Sequence, residues 1–239
     1  MSETRLPIGK ALPNWKPPAR PARTAMWGHY CSVTPLDPKA HRNDLFTAFA
    51  TDQDGRDWLY LPYGPFLDVA DFSSWLDSAA EKDDPLFFSV IDTTGKASGL
   101  ASYLRITPDS GSIEVGHIHF SPELQRTPAA TEAMYLMMKH AFELGYRRYE
   151  WKCDALNERS RRAALRLGLS FEGIFRQATV VKGRNRDTAW YAAIDSEWPA
   201  LQAAFQLWLS LENFDSAGQQ RIALRTLTEP IVSKQPLGI

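Results

Sequence analysis

The chain has 239 residues, a hydrophobic fraction of 44%, a charged fraction of 23% and a formal net charge of −1. These values are ordinary for a globular protein with a large core, and the near-zero charge argues against general binding to nucleic acid or to an anionic membrane. The two cysteines, Cys31 and Cys153, form no disulfide framework, and no apolar run approaches the roughly 20 residues of a membrane span. We therefore expect a cytoplasmic protein without a membrane partner.

The N-terminal segment is rich in proline. Five prolines fall within the first 21 residues: Pro7, Pro13, Pro17, Pro18 and Pro21. Each one removes a backbone donor and disfavours helix, and the segment has no apolar signal core. The sequence predicts an extended arm over residues 1–26, one domain over 27–214, and a short helix or tail over 215–239.

The first half of the domain alternates between strand and helix patterns. A strand over 30–36 precedes Asp37 and Pro38, which predict the N-cap and first turn of a helix. A second helix is predicted around Phe72. Three strands separated by short turns follow, and they predict an antiparallel meander: residues 86–92, 98–106 and 112–120.

The second half repeats the alternation. A helix after Pro128 is followed by a strand over 146–153, a helix over 157–168 and two more strands around the turn KGRNR. The apolar run 198–214 has helical spacing, and we favour a core helix over a homodimer contact. Together these elements predict an α/β fold, a mixed and mostly antiparallel sheet with helices on both faces.

Two stretches carry the candidate function. The first, QRTPAATEA from Gln125, starts a helix with small side chains, where N–H groups and the helix dipole suit an anion such as a pyrophosphate. A plain helix start with a first-turn proline is the alternative. The second, NERSRRAALRLGLSFEG, runs from Asn157 to Gly173.

Together the two stretches resemble the GCN5-related N-acetyltransferase (GNAT) superfamily, in the branch of the ribosomal-protein N-terminal acetyltransferases (RimJ/RimL-like). That family's pyrophosphate motif reads Gln or Arg, two residues, Gly, one residue, then Gly or Ala. Gln125, Pro128 and Ala130 occupy these positions, so a proline without an N–H group replaces the middle glycine. The downstream motif is matched by Asn157, Ser160, Leu167, Gly168, Phe171, Glu172 and Gly173.

The resemblance implies a GNAT-like fold and an N-acetyltransferase that moves an acetyl group from acetyl-CoA directly to a primary amine, on a protein N-terminus or a small molecule. No metal is implied. A noncatalytic acyl-CoA-binding sensor or scaffold is the alternative, which the replacement of glycine by Pro128 favours. The implied cofactor-binding residues are Gln125, Arg126, Thr127, Pro128, Ala129, Ala130, Thr131, Asn157 and Ser160.

The resemblance also implies catalytic residues. Glu114 lies where the family has a glutamate that acts as a base or orients a water molecule, and a sheet glutamate bonded to a neighbour is the plainer interpretation. The tyrosine that many members carry in the second helix is replaced by Ala164, whereas Ser160 is present and is implied to protonate or orient the leaving thiolate. Alternatively, Asn157 caps that helix and Ser160 bonds its first turn.

Other residues have a structural and a functional interpretation. Strand alternation predicts that His117 and His119 share one face and Glu114 the other, which argues against a metal site, although either histidine could line the acceptor groove. The stretch WLYLPYGPF, residues 58–66, is either core and turn or a lid over the acceptor. Arg126, Arg159 or Arg161 is expected to reach a phosphate of CoA, a use of the basic residues that we favour over an RNA-binding face.

Overall fold

The computed structural model describes residues 8–232; the predictions for residues 1–7 and 233–239 lie outside this part of the chain. The described part contains eight strands: β1 (Met26–Trp27), β2 (Cys31–Pro35), β3 (Leu86–Asp92), β4 (Ala97–Thr107), β5 (Ser112–Phe120), β6 (Arg148–Asp154), β7 (Ser170–Val181) and β8 (Arg184–Ile194). It also contains six α-helices: α1 (Pro38–Phe49), α2 (Val69–Ala80), α3 (Pro128–Glu143), α4 (Glu158–Arg166), α5 (Trp198–Leu209) and α6 (Leu224–Thr228).

The strands form one sheet in the order β1-β2-β3-β4-β5-β6-β8-β7. Only the β5–β6 pair is parallel, and the other neighbours are antiparallel. The predicted meander corresponds to β3, β4 and β5. The mixed, mostly antiparallel sheet predicted from the sequence is therefore confirmed.

The central strands β5 and β6 pair along only part of their length. Their register runs from Ser112 opposite Arg148 to Val115 opposite Trp151 and then stops. Beyond that point each strand continues, β5 to Phe120 and β6 to Asp154, without pairing to the other. The two strands therefore separate and open a cleft in the middle of the sheet.

Apolar side chains from the sheet enter two cores, one on each face. Phe88 lies in the larger core with α3 and α5, whereas its neighbour Phe87 lies in the smaller core with α1 and α2. This alternation is the period-two pattern of a strand buried on both sides. Leu201 and Phe205 of α5 are fully buried, which confirms the core interpretation of the C-terminal apolar run. Among the described residues, no helix is both long and apolar enough to cross a membrane.

A buried glutamate fixes the start of α3. The Glu132 carboxylate accepts hydrogen bonds from the backbone N–H groups of His29, Tyr30 and Cys31, at 2.8, 2.6 and 2.9 Å. Three backbone donors satisfy a buried carboxylate without a cation. Helix α3, and with it the turn before it, is therefore tied to the start of β2.

Both ends of the described part of the chain are held against this body. Residues 8–25 contain no helix or strand, as expected for an arm, but the ring of Trp15 packs over Gly111, and Arg20 donates to the Ile106 carbonyl at 3.1 Å. At the other end, Leu224 of α6 is fully buried in the larger core, and the Thr228 hydroxyl donates to the Arg166 carbonyl. The described part of the predicted tail thus packs as part of the domain.

Candidate active site

A cavity of about 300 Å³ lies where β5 and β6 separate, and we call it the cleft cavity. Its floor is formed by residues 114–118 of β5 and 151–154 of β6. Asn157 and Ser160 line it from α4, and the side opposite is formed by the loop residues 60–62 and by the β7–β8 hairpin. The predicted catalytic residues Glu114 and Ser160 thus reach one cavity, although they lie 46 positions apart in sequence.

Glu114 is buried and held by two cations. Arg105 donates from one guanidinium nitrogen to both carboxylate oxygens at 2.8 Å, and the Lys152 ammonium lies 3.0 Å from one of them. Burial raises the pKa of Glu114 above its usual value, while Lys152 and Arg105 act in the opposite direction. Both carboxylate oxygens are engaged, so a direct contact with an acceptor amine requires one of these ion pairs to rearrange.

The ion pairs extend along β6. Lys152 also lies 2.8 Å from Glu150, Glu150 accepts from Arg148 at 2.6 Å, and Arg148 pairs with Glu172 on β7. Lys152 further lies 3.8 Å from the centroid of the Trp190 ring. Opposite charges alternate through the network, which is how buried ionised groups are tolerated.

The strand alternation predicted for the histidines is wrong. Two residues of β5, His117 and Ile118, oppose the single residue Ala101 of β4, and His117 has a φ of 50°. This β-bulge changes the side-chain direction, so His117 lines the cleft cavity together with Glu114. His119 instead lies in the smaller core, with its ring centroid 3.8 Å from that of Trp58.

His117 is oriented by a residue from the loop between α1 and α2. The Tyr63 hydroxyl lies 3.1 Å from His117 Nδ1, and the two rings stack with centroids 5.6 Å apart. Burial lowers the pKa of His117 to about 4, and the charges of Arg105 and Arg186 add to this effect. The imidazole is therefore neutral near pH 7, and the lowered pKa makes it a weaker base than a free imidazole.

Asn157 and Ser160 occupy the first turn of α4. The Asn157 side chain accepts from the Ser160 backbone N–H at 3.1 Å, which confirms the predicted cap. The Ser160 hydroxyl accepts from the Trp151 indole at 2.9 Å. Because the indole supplies the donor, the hydroxyl proton of Ser160 can itself be donated, and the Cys153 side chain on the cavity floor is one acceptor within its reach.

The turn before α3 uses part of its own hydrogen-bonding capacity. Thr127 is the N-cap, and its hydroxyl accepts from the Ala130 N–H at 3.1 Å and donates to the Leu124 carbonyl at 2.7 Å. Pro128 contributes no N–H group. The Thr131 hydroxyl is buried and accepts from Arg166 at 3.1 Å, so it faces α4 and not the open end of the helix. For this turn, the role in binding CoA stays a prediction.

A second cavity of about 340 Å³ lies beside this turn, and we call it the turn cavity. The carboxylate of Asp57 accepts from the Gln125 side chain at 2.6 Å and from Arg159 at 3.0 Å. Two residues predicted to bind phosphate thus contact a carboxylate of their own chain. Arg126 is exposed, and Arg161 donates to the Tyr191 hydroxyl and to the Ala155 carbonyl.

The stretch 58–66 combines both of its predicted roles. Trp58 is buried in the smaller core, whereas residues 60–62 line the cleft cavity. The loop is fixed at two points, because the Tyr60 hydroxyl donates to the Leu156 carbonyl and Lys182 donates to the Trp58 carbonyl. No cluster of histidine, cysteine or acidic side chains in the described part of the chain is arranged to hold a metal ion.

Sequence reasoning missed several residues of the site. Arg105 and Lys152 were not assigned to Glu114, Tyr63 was not assigned to His117, and Asp57 and Arg186 were not assigned to the cavities. One signal was available. In the strand sequence RYEWK, charged residues alternate with aromatic ones, which indicates a charged face in a buried strand.

Comparison with known proteins identifies the family. A family model described as an acetyltransferase (GNAT) domain matches residues 33–170. The crystal structure of a GCN5-related N-acetyltransferase from Brucella melitensis is 50% identical, covering 91% of this chain and 100% of its own with a TM-score of 0.89. A GNAT-family acetyltransferase from Chromobacterium violaceum is 43% identical, covering 83% and 100%, with a TM-score of 0.76. The chain therefore belongs to the GCN5-related N-acetyltransferase family.

This result confirms the family, fold and enzyme class predicted from the two motifs, and members of the family take the acetyl group from acetyl-CoA. RimL, the ribosomal L7/L12 alpha-N-protein acetyltransferase, shares the fold with a TM-score of 0.60 and 18% identity, covering 70% of this chain and 91% of its own. That likeness concerns the fold alone. A search of the curated proteins found no significant match.

Proposed function

We propose that this protein transfers the acetyl group of acetyl-CoA directly to a primary amine bound in the cleft cavity. The observation that carries the proposal is the convergence of Glu114, His117 and Ser160 on one cavity at the point where β5 and β6 separate. A neutral imidazole can accept a proton, a hydroxyl can donate one, and a carboxylate network can position an amine, which are roles that amine acetylation can use.

The separated strands suit the pantetheine arm of the cosubstrate. Beyond Val115 and Trp151 the facing edges of β5 and β6 no longer pair with each other. Backbone groups at such an edge can bond an extended, amide-bearing ligand as they would bond another strand. In this arrangement the thioester would lie near Ser160 at the start of α4.

The reaction forms a C–N bond and breaks a C–S bond. The neutral amine attacks the thioester carbonyl carbon, and the resulting oxyanion collapses with release of the CoA thiolate. One proton leaves the nitrogen, and one is taken up by the thiolate. We assign delivery of the second proton to the Ser160 hydroxyl, which accepts from the Trp151 indole and regains its proton from solvent, so that no alkoxide remains.

His117 is the better candidate for accepting the proton from the amine. Its ring lines the cavity, is neutral and is oriented by Tyr63, whereas both oxygens of Glu114 already accept from cations. We assign Glu114 the role of positioning the amine or a water molecule through this network. The sequence left two roles open for Glu114, as a base or as a positioning residue, and we propose the second.

The test measures CoA release with acetyl-CoA and a panel of primary amines. We expect His117→Gln to lower kcat by about 100-fold, which is the lower range for loss of a proton acceptor. His29→Gln is the matched control, because His29 is exposed and outside the cavity. Equal activity of the His117→Gln and wild-type proteins across pH would show that His117 does not accept the proton from the amine.

Calorimetric titration with acetyl-CoA, added to the CoA-release assay, tests the noncatalytic alternative. Calorimetric binding of acetyl-CoA without CoA release on any amine would favour a sensor or scaffold. Pro128 and the Thr127 cap, which leave fewer N–H groups for a pyrophosphate, are the observations in favour of that outcome.

A further inference from the structure

The cleft cavity contains a cation that the rest of the site does not use. Arg105 and Lys152 each pair with Glu114, but Arg186 forms no ion pair or side-chain hydrogen bond within residues 8–232. Its Nε atom is buried and has no hydrogen-bond partner there. An unpaired guanidinium group that lines a cavity is costly unless a ligand supplies the partner.

The backbone around Arg186 is fixed without the help of this charge. Arg186 pairs with Thr179 in the β7–β8 hairpin, next to a bulge where Gln177 has a φ of 49°. The neighbouring Asp187 carboxylate secures that bulge by accepting from the Gln177 N–H at 2.7 Å and the Asn185 side chain at 3.0 Å. Asp187 is therefore engaged elsewhere, and the Arg186 guanidinium is left to the cavity.

Arg186 also lies close enough to the proposed reaction centre to act on the same ligand. Arg186, His117 and Cys153 all line the cleft cavity, and the charge of Arg186 contributes to the lowered pKa of His117. His117 and Cys153 lie on β5 and β6, on the two sides of the cleft. An acceptor whose amine is next to His117 would therefore have its other end near Arg186.

We propose that Arg186 binds an anionic group of the acceptor, so that the acceptor is a small amine carrying a carboxylate, as a free amino acid does. This inference rests on the proposed transfer to an amine and names the class of that amine. Guanidinium binds a carboxylate through two parallel hydrogen bonds, which supplies orientation as well as charge. The cavity of about 300 Å³ suits a molecule of this size.

The charge balance of the site is consistent with such a ligand. A carboxylate on Arg186 would neutralise one of the charges that depress the pKa of His117. The imidazole would then become a stronger base when the correct acceptor is bound. An acceptor without an anionic group, such as a polyamine, would leave Arg186 unpaired and would add positive charge beside it.

The experiment compares matched pairs of acceptors that differ only in the carboxylate, for example phenylalanine with phenethylamine and lysine with cadaverine. Phosphoethanolamine is included to distinguish a phosphate from a carboxylate. We expect wild type to prefer the carboxylate-bearing member in kcat/KM, and Arg186→Gln to lose roughly 10- to 100-fold on that member only, as for a buried charge-assisted hydrogen bond. Arg184→Gln is the control, because Arg184 lies on the same strand but is exposed.

The outcomes separate this inference from the proposed function. Turnover of amines without any preference for an anionic member, or an equal loss on both members in Arg186→Gln, would overturn the role of Arg186 and leave the transferase standing. A preference for phosphoethanolamine alone would overturn the carboxylate. Calorimetric titration with the same acceptors does not depend on turnover. Binding that requires both the carboxylate and Arg186 supports the subsite even if no CoA is released. Binding of the carboxylate-bearing acceptor that persists in Arg186→Gln overturns it.

Discussion

The cleft cavity and the turn cavity lie on either side of the same loop, yet their charges are arranged differently. In the cleft cavity, buried carboxylates and cations alternate, and Arg186 is the one cation there without a partner in the described chain. In the turn cavity, Asp52, Asp54 and Asp57 outnumber the two arginines, Arg56 and Arg159. The cleft cavity is lined by as many carboxylates as cations, with Arg186 left unpaired among the described residues, whereas carboxylates are in excess in the turn cavity.

Gln125, the first residue of the predicted pyrophosphate motif, lines the turn cavity and not the cleft cavity. Gln125 and Arg159 were expected to meet the phosphates of CoA, but in this structure both contact Asp57. A carboxylate and a phosphate accept the same hydrogen bonds. A phosphate that used Gln125 and Arg159 would therefore have to displace Asp57 from both side chains.

The largest effect is expected from breaking the charge alternation of the cleft cavity. Lys152→Met leaves Glu114 and Glu150 facing each other across the β5–β6 pair without their shared cation. We expect the free energy of unfolding to fall by up to about 3–5 kcal/mol, because two buried carboxylates lose their shared cation and each retains only an arginine. Urea denaturation at neutral pH measures this change.

An exposed ion pair provides the control for Lys152→Met. Lys139 lies 2.7 Å from Glu143 on α3, and both side chains are exposed to solvent. Lys139→Met should change the unfolding free energy by less than about 0.5 kcal/mol. Comparable losses in the two variants would show that the network on β6 behaves like a surface pair, and the contrast between the cavities would lose its energetic basis.

Local signals in the sequence predicted most of the fold. The Asp37 cap, the short turns of the meander and the Asn157 cap all depend on residues within four positions of one another, and each was found as expected. Helix α5 followed from apolar spacing alone. These features depend on neighbours in the chain, which a single sequence displays.

The site was predicted less completely because its geometry depends on contacts between distant segments. The bulge at His117 is defined by the register with β4, and the sequence of β5 alone does not predict it. The contact of Gln125 with Asp57 spans 68 positions, and that of Tyr63 with His117 spans 54. Periodicity predicts the face of each histidine only in an unbroken strand. The bulge interrupts the alternation, so the predicted face of His117 was wrong.

A smaller effect is expected at the wall between the two cavities. His119 packs between Phe49 and Trp58, and Asp57, the residue before Trp58, lines both cavities. Burial lowers the pKa of His119 to about 4, so the unfolded chain binds this proton more readily than the folded chain between about pH 6.5 and pH 4. The stability that neutral His119 permits is present above that range and is lost as the pH falls through it.

The measurement is urea denaturation of wild type and His119→Gln at about pH 7 and about pH 5. Glutamine does not titrate, so the variant should lose roughly 1–2 kcal/mol less on acidification than wild type does. His29→Gln, which changes an exposed histidine, should retain the wild-type dependence. The same pH dependence in all three proteins would mean that His119 does not cause the acid sensitivity of this wall.

The smallest expected effect concerns the turn cavity itself. Asp57→Asn removes the charge that competes with a phosphate for Gln125 and Arg159, so we expect the Kd for acetyl-CoA to fall by about 3- to 10-fold at low salt, with the gain reduced by added salt. Asp54→Asn removes a carboxylate from the same cavity that contacts neither Gln125 nor Arg159. If both variants tighten binding equally, the field of the cavity is responsible. If only Asp57→Asn tightens binding, the Asp57 carboxylate competes with the phosphate by direct contact. If neither variant tightens binding, the phosphates of CoA bind away from this turn, and the motif does not mark their site.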